Sequence, residues 1–204
     1  RKTTYYEDMC GITGIYDTRG KSSVTEGDLV RMRDTLSYRG PDSAGIYISP
    51  DGRVGFGHRR LAIIDLSEAG RQPMNYRMRG VKCQVSNVRC PNLWITFNGE
   101  VYNFKELRDE LRKKGHTFKS QSDTEVILAS YAEWGPECVK RFNGMFAFAI
   151  WDEANKMLFA ARDHIGIKPF YYSYENGLFL FGSEIKAILA YSSFKRELNK
   201  ESVP

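Results

Sequence analysis

The chain of 204 residues is long enough for one substantial domain, or for one domain and the beginning of another. Hydrophobic residues make up 42% of it and charged residues 27%, which is ordinary for a globular protein and argues against a disordered chain. The net charge of +5 comes from Lys and Arg residues scattered along the chain, so nucleic-acid binding is not predicted.

Neither a membrane span nor a secretory leader is predicted. The longest apolar run, MFAFAIW at 145–151, is far shorter than the ~20 residues of a membrane helix. No charged leader followed by an apolar segment stands at the start. The four cysteines, at positions 10, 83, 90 and 138, contain no CxxC pair and are too few for a disulfide scaffold. We therefore expect a soluble protein in a reducing, cytoplasmic setting.

Strand-like and helix-like segments alternate through the first two thirds of the chain. Short apolar runs bounded by Gly, Asp or Pro predict strands at 10–16, 44–48, 54–57 and 93–97. Helices are predicted for TEGDLVRMRDTL, NFKELRDELRKKG and SDTEVILASYAEWGP, with Thr25, Asn103 and Ser122 as their N-terminal caps.

The last third changes character. The segments MFAFAIWD, MLFAARD, KPFYYSYE and GLFLFGS predict consecutive strands joined by tight polar turns, which favours an antiparallel meander. Strands that are apolar on both faces must be covered on both sides. The sequence therefore predicts an α+β sandwich of stacked sheets flanked by helices.

Two polar stretches depart from this plan. Residues 77–92 lack periodicity and predict a loop or small hairpin, in which Cys83 and Cys90 are two free thiols or form a disulfide or metal clip. Residues 192–204 end without a closing element, so we expect them to begin a connection to another segment.

Cys10 has two interpretations. A cysteine in a strand is often only a buried structural residue. However, removal of the preceding Met9 gives Cys10 a free α-amine with a pKa of ~8, which can take the proton of its own thiol. One residue is then both nucleophile and base.

Three further segments suit attack of a thiol on a carboxamide, although each has a plainer interpretation. In FNGE, the Asn98 side chain and the Gly99 N–H are donors for an oxyanion, or Asn-Gly is simply a turn. In GHRRLAIID, the guanidinium of Arg59 or Arg60 clamps a carboxylate or forms a surface ion pair. In QSDTE, Asp123 receives an ammonium group or only caps a helix.

Nine ordered blocks together resemble the class II glutamine amidotransferase domain, and most closely that of glutamine-hydrolysing asparagine synthetase. They are MCGITGIYD, YRGPDSAG, GHRRLAIIDL, QPM, FNGEVYNFKELRDEL, SDTEVIL, FNGMFAFAIWD, ARDHIGIKPFYY and FGSEIKAI, and they cover most of residues 9–190. The resemblance implies the N-terminal-nucleophile hydrolase fold, a four-layer αββα sandwich of two antiparallel sheets between helices. The DHIGIKPFYY block favours the asparagine-synthetase type.

The same resemblance implies roles for these residues. Cys10 is the nucleophile that forms a glutamyl thioester, and Asn98 and Gly99 form the oxyanion hole. The implied glutamine-binding set is Arg60 for the α-carboxylate, Glu100 and Asp123 for the α-ammonium, the backbone of Leu61, Ala62, Ile63 and Ile64 along the pocket, and Asn98 and Gly99. Asp42 in RGPDS lies near the site in the family, where it can be structural, and it is not included.

The resemblance implies no cofactor or metal in this domain and L-glutamine as its ligand. Ammonia then passes to a C-terminal synthetase domain that uses ATP and magnesium to amidate aspartate. No Gly/Ser-rich pyrophosphate loop follows the matching blocks, so we expect the chain to be the glutaminase half, and a homodimer stays open. The expected division is a leader at 1–9, the amidotransferase domain at 10–191, and the start of a linker at 192–204.

Two alternatives stay open. The insertion at 77–92 is unusual for the family, and relatives with another carboxylate acceptor, such as tailoring amidotransferases of secondary metabolism, share this domain. The leader RKTTYYEDM turns the Cys10 amine into an amide, so an inactive regulatory module is the second alternative. The leader is either a propeptide or an addition to the natural chain.

Overall fold

Nine strands and four α-helices make up the described part of the chain. The computed structural model describes residues 9–20, 24–77 and 92–196. The strands are β1 (Gly11–Asp17), β2 (Ser43–Ile48), β3 (Val54–Arg60), β4 (Met74–Arg77), β5 (Asn92–Val101), β6 (Gly144–Asp152), β7 (Met157–Arg162), β8 (Tyr171–Glu175) and β9 (Leu178–Gly182). The helices are α1 (Glu26–Asp34), α2 (Phe104–Lys113), α3 (Asp123–Trp134) and α4 (Ile185–Leu189).

The strands form two sheets that pack face to face. The first has five strands in the order β2-β3-β1-β9-β8, and the second has four in the order β4-β5-β6-β7. All neighbouring strands are antiparallel. Helices α1 and α4 cover the outer face of the first sheet, and α3 with α2 covers the outer face of the second. The predicted α+β class and the four-layer αββα sandwich are confirmed.

Strand β6 shows why the layers stack as they do. Its alternate residues Phe146 and Phe148 pack in the core beneath α2 and α3, whereas Ala147 and Ala149 face the first sheet. A strand buried on both faces needs apolar residues on both faces, as β6 has from Met145 to Trp151. Burial of a side chain such as Phe148 stabilises the fold by about 1.5–3 kcal/mol.

The predicted meander is wrong. Strands β6 and β7 pair in the second sheet, while β8 and β9 pair in the first. The connection at 163–170 is not a tight turn, because the Asp163 carboxylate folds it by accepting the backbone N–H groups of Ile167 and Lys168. The two hairpins are therefore separated by a crossing between sheets.

The helix caps are largely as predicted. The side chains of Thr25 and Ser122 accept backbone N–H groups in the first turns of α1 and α3. Asn103 precedes α2, but its side chain does not cap that helix. It instead donates to Arg141 O and accepts from Asn143 N, so it ties α2 to the start of β6.

The two polar stretches lie mostly outside the described residues. Arg77 and Asn92 are paired strand residues, so the predicted loop is shorter at both ends than 77–92, and Cys83 and Cys90 fall in the part not described. Residues 1–8 of the predicted leader and 197–204 of the predicted linker fall outside as well. None of the helices in the described ranges has the length and apolar character needed to cross a membrane.

Candidate active site

Cys10 lies directly before β1 and is partly buried. Its thiol donates to Leu61 O at 3.5 Å and accepts the Leu61 N–H at 3.4 Å, and the Arg39 guanidinium donates to Cys10 O at 3.3 Å. Burial raises the pKa of the thiol. The hydrogen bond from the Leu61 N–H and the positive charges of Arg60 and Lys168 act in the opposite direction and lower it. The thiol is thus held at one place but is not by itself a thiolate.

An open pocket of about 440 Å³ lies beside this thiol. Its walls come from the ends of β3 and β5, the start of α3 and the segment after β3. The lining residues are Cys10, Arg60, Leu61, Ile63, Ile64, Asp65, Gly70, Gln72, Phe97, Gly99, Glu100, Ser122, Asp123 and Thr124. Seven further residues predicted for the site therefore meet in one pocket with Cys10, the predicted nucleophile: Arg60, Leu61, Ile63, Ile64, Gly99, Glu100 and Asp123.

Arg60 is the last residue of β3 and is only 8% exposed, so the surface ion pair is wrong for Arg60. The neighbouring Arg59 does form an ion pair, with Asp34 at 2.7 Å. Its guanidinium donates to Ser67 O at 3.1 Å and to Asp65 O. Gly70 allows this arrangement, because a Cβ there would lie 2.5 Å from the guanidinium. The positive charge is therefore fixed in the pocket wall.

The residues that follow β3 do not form a strand, and not all of them line the pocket. Leu61, Ile63 and Ile64 line the pocket, but Ala62 does not. The Ala62 N–H donates instead to the Asp42 carboxylate at 2.8 Å. Asp42 thus connects the RGPDS loop to the segment that forms one wall of the pocket.

Asn98 and Gly99 are strand residues of β5, paired with β6, so the turn interpretation is wrong. Asn98 does not line the pocket. Its side chain is 1% exposed, and within the described ranges its Nδ2 has no hydrogen-bond partner. Gly99 lines the pocket with a φ of +149°, a conformation that favours glycine.

Two side chains hold the strand just before Asn98. The Gln72 side chain accepts the Phe97 N–H at 2.7 Å, and the His58 ring lies 3.1 Å from Phe97 O. His58 is fully buried, which lowers its pKa to about 4, so the neutral ring donates to this carbonyl. The backbone that carries the proposed oxyanion donors is therefore fixed from both sides.

Asp123 begins α3 and is 4% exposed. Its carboxylate accepts the Val101 N–H at 3.0 Å and faces the pocket that Glu100 also lines. Burial raises the pKa of Asp123 to about 6, and the negative charge of Glu100 contributes to this increase. Two carboxylates thus lie in the same pocket as the guanidinium of Arg60.

Sequence reasoning left out of the predicted site four residues that the structure brings to it. Arg39 donates to Cys10 O, Gln72 holds the β5 backbone and Asp42 holds the pocket wall. Lys168 is a buried lysine beside Met9 and Cys10. All four fall within the blocks YRGPDSAG, QPM and ARDHIGIKPFYY. Their position inside blocks that resemble the family is the signal in the sequence that could have found them. Their contacts, however, join parts of the chain that are distant in sequence.

The family of the chain follows from comparison with known proteins. Residues 9–204 match the glutamine amidotransferase domain. The chain belongs to this family. This amidotransferase domain is 48% identical over 192 residues to glutamine-hydrolysing asparagine synthetase 3 of Bacillus subtilis, a match that covers 94% of the chain and 29% of that protein.

Two further proteins extend the comparison. The domain is 41% identical over 201 residues to the putative glutamine-hydrolysing asparagine synthetase 2 of Methanocaldococcus jannaschii, covering 96% of the chain and 38% of that protein. The structure of the glutamine PRPP amidotransferase from Bacillus subtilis shares the fold with a TM-score of 0.72 and 20% identity, covering 89% of this chain and 43% of that one. The domain thus spans less than half the length of these relatives.

Proposed function

We propose that this domain hydrolyses L-glutamine to glutamate and ammonia. The observation that supports this most directly is the single pocket in which the Cys10 thiol lies with the Arg60 guanidinium and the carboxylates of Glu100 and Asp123. A zwitterionic amino acid needs a fixed cation and separate anions. In this proposal Arg60 binds the α-carboxylate and the two carboxylates bind the α-ammonium.

The reaction proceeds in two steps at Cys10. The thiolate attacks the carboxamide carbon, and the oxyanion accepts hydrogen bonds from Asn98 Nδ2 and the Gly99 N–H. When this intermediate collapses, the C–N bond breaks, ammonia leaves with the proton taken from the thiol, and a glutamyl thioester remains. Water then adds to the thioester, which releases glutamate and restores the thiol. The Asn98 amide supports its part in this scheme, because its Nδ2 is buried and has no hydrogen-bond partner among the residues that the structure describes.

The general base is the α-amine of Cys10, so the proposal requires cleavage of the bond between Met9 and Cys10. While that bond is intact, the nitrogen is an amide and cannot take the thiol proton. Burial, which raises the pKa of the thiol, makes a base at this position necessary near neutral pH.

For the whole protein we propose asparagine synthesis. The similarity to glutamine-hydrolysing asparagine synthetases supports a synthetase domain, using aspartate, ATP and magnesium, as the recipient of the ammonia. The glutaminase domain itself then needs no cofactor, and the protein acts in the cytoplasm. An assay of the full-length protein with aspartate, ATP and glutamine tests this part, and failure to form asparagine argues for another acceptor.

Glutaminase activity is tested with a chain that begins at Cys10. We expect glutamate release from this form, little from the chain that retains Met9, and none from Cys10→Ala. Cys138→Ala is the matched control, because Cys138 is buried in the core beneath α3 and should leave glutamate release intact. Equal glutamate release by Cys10→Ala and the processed parent would contradict the proposal.

A further inference from the structure

The DHIGIK loop fixes a lysine beside the nucleophile. We propose that Lys168 is a positioning residue for catalysis: its buried ammonium stabilises the Cys10 thiolate and favours the neutral α-amine of processed Cys10. This inference rests on the proposed function, in which that amine is the general base.

Lys168 is an unusual lysine because only 4% of it is exposed. Its Nζ donates to the thioether of Met9, the residue directly before Cys10. Among the residues that the structure describes, no carboxylate lies within 4 Å of this ammonium. A buried charge is costly unless it is paired, and a thioether is a weak acceptor. Removal of Met9 takes even this partner away and leaves the ammonium beside the new N-terminus.

The loop holds the Lys168 backbone from two sides. The Asp163 carboxylate accepts the N–H groups of Lys168 at 2.9 Å, of Ile167 at 2.8 Å and of Phe146 at 3.2 Å. The Arg162 guanidinium donates to Lys168 O at 2.6 Å. Asp163 is 5% exposed, so these bonds are shielded from water. The position of the lysine is therefore set by the fold of the loop and not by a flexible surface chain.

The charges around Cys10 give the direction of the effect. Arg60 and Lys168 are the positive groups that act on its thiol and favour the thiolate, and Asp123 opposes them. Burial lowers the pKa of Lys168, whereas the charges of Glu100, Cys10 and Asp163 raise it and that of Arg39 lowers it. A thiolate at Cys10 and an ammonium at Lys168 thus stabilise one another, although each alone is penalised by burial.

The positive charge of Lys168 also acts on the α-amine of Cys10, where it favours the neutral form. A like charge nearby disfavours protonation, so the ammonium lowers the pKa of the amine from its usual ~8 toward neutrality. More of the amine is then free to accept the thiol proton when substrate is bound. One lysine therefore favours both forms that the first step needs.

The test measures Cys10 reactivity without glutamine. In processed protein with Cys83, Cys90 and Cys138 each replaced by Ala, Cys10 is the only cysteine left. The rate of its alkylation by iodoacetamide is followed against pH for Lys168→Met and its parent. We expect the apparent thiol pKa to rise by about one unit and alkylation at neutral pH to fall about tenfold. Lys168→Arg, which keeps the charge, should retain most of the parent reactivity. The acidic limb of kcat/KM should move to higher pH in Lys168→Met alone.

Lys140→Met is the matched control, because Lys140 is exposed and pairs with Glu137 on the surface. Lys168→Gln supplies a second neutral variant if the Met variant does not fold, as judged by near-UV circular dichroism. An alkylation profile that stays unchanged in a folded neutral variant overturns the inference. Because alkylation does not use glutamine, this result is distinguishable from an absence of glutaminase activity, which would contradict the proposed function.

Discussion

The carboxylate of Asp42 accepts the backbone N–H of Ala62 at 2.8 Å. This bond connects two segments that are 20 residues apart and holds the stretch from Leu61 to Ile64 against the pocket. The Asp42 side chain thereby shapes the binding wall without lining the pocket itself.

We expect Asp42→Ala to raise KM for glutamine about tenfold and to change kcat little. The reason is that the wall loses its anchor, while Cys10 keeps its own bonds to Leu61. Steady-state kinetics of the processed chain measure both constants. Asp51→Ala, in a turn between β2 and β3, is the control and should leave KM unchanged. A fall in kcat with an unchanged KM would argue that Asp42 acts on the chemistry instead.

Asn98→Ala should lower kcat by about 100- to 1,000-fold with a small effect on KM, since an oxyanion donor acts in the transition state. The melting temperature should change little because Asn98 Nδ2 has no partner to lose among the described residues. Asn75→Ala, on an exposed position of β4, is the control for activity. Kinetics and thermal unfolding of both variants test this. A large fall in melting temperature with full kcat would assign Asn98 a structural role.

Gly99→Ala should destabilise the fold. The new Cβ would lie 2.1 Å from Met145 O on the paired strand, at a φ of +149°. We expect a loss of about 2 kcal/mol or more and a melting temperature lower by roughly 4–8 °C. Gly27→Ala in α1 is the control, because its nearest neighbour would be 3.5 Å away, and alanine should be neutral or slightly stabilising there. Equal melting temperatures for Gly99→Ala and the parent would contradict the close approach.

Asp123→Asn should stabilise the protein and weaken glutamine binding. The pKa of Asp123 is about 6 when folded against an ordinary 3.8, so the folded state binds the proton more tightly. The protonated Asp123 carboxyl contributes its full stabilisation of the folded state below about pH 4. This contribution, roughly 3 kcal/mol at most, is lost as the pH rises through about 6. An amide at this position removes that loss and also removes the anion for the α-ammonium.

Thermal unfolding at about pH 7.5 and about pH 4.5 tests the direction of this pH dependence of stability. We expect the asparagine variant to melt higher than the parent at the upper pH, with a smaller difference at the lower pH, and its KM to rise at least tenfold. Asp109→Asn, on the exposed side of α2, should change neither property. A variant that is less stable than the parent at the upper pH would show that the charged carboxylate stabilises the fold.

Local pattern was sufficient for most of the secondary structure. The continuous apolar run in MFAFAIWD predicts a strand buried on both faces, and β6 has that burial. The capping residues Thr25 and Ser122 correctly predict where α1 and α3 begin. Asn103 fails as a cap because Arg141 and Asn143, almost 40 residues away, compete for its side chain.

The pairing of strands was beyond local pattern. KPFYYSYE and GLFLFGS have the same apolar character as the hairpin before them. Neither pattern indicates which of the two sheets the strand joins. That choice appears only in the assembled fold, where β9 pairs with β1 and Asp163 holds the loop at 163–168 that crosses between the sheets. The turn alternative at Asn98 and Gly99 is wrong for a similar reason, because both residues pair with β6 inside strand β5.

The sequence by itself determined the residue types of the site, since a thiol after a removable methionine, an Arg at a strand end and an acidic helix start are local features. Tertiary structure alone decided which of them share a pocket and which charges act on one another. Burial is a property of the assembled layers, so the raised pKa of Asp123, the enclosed guanidinium of Arg60 and the ammonium of Lys168 beside Met9 arise only when the two sheets meet.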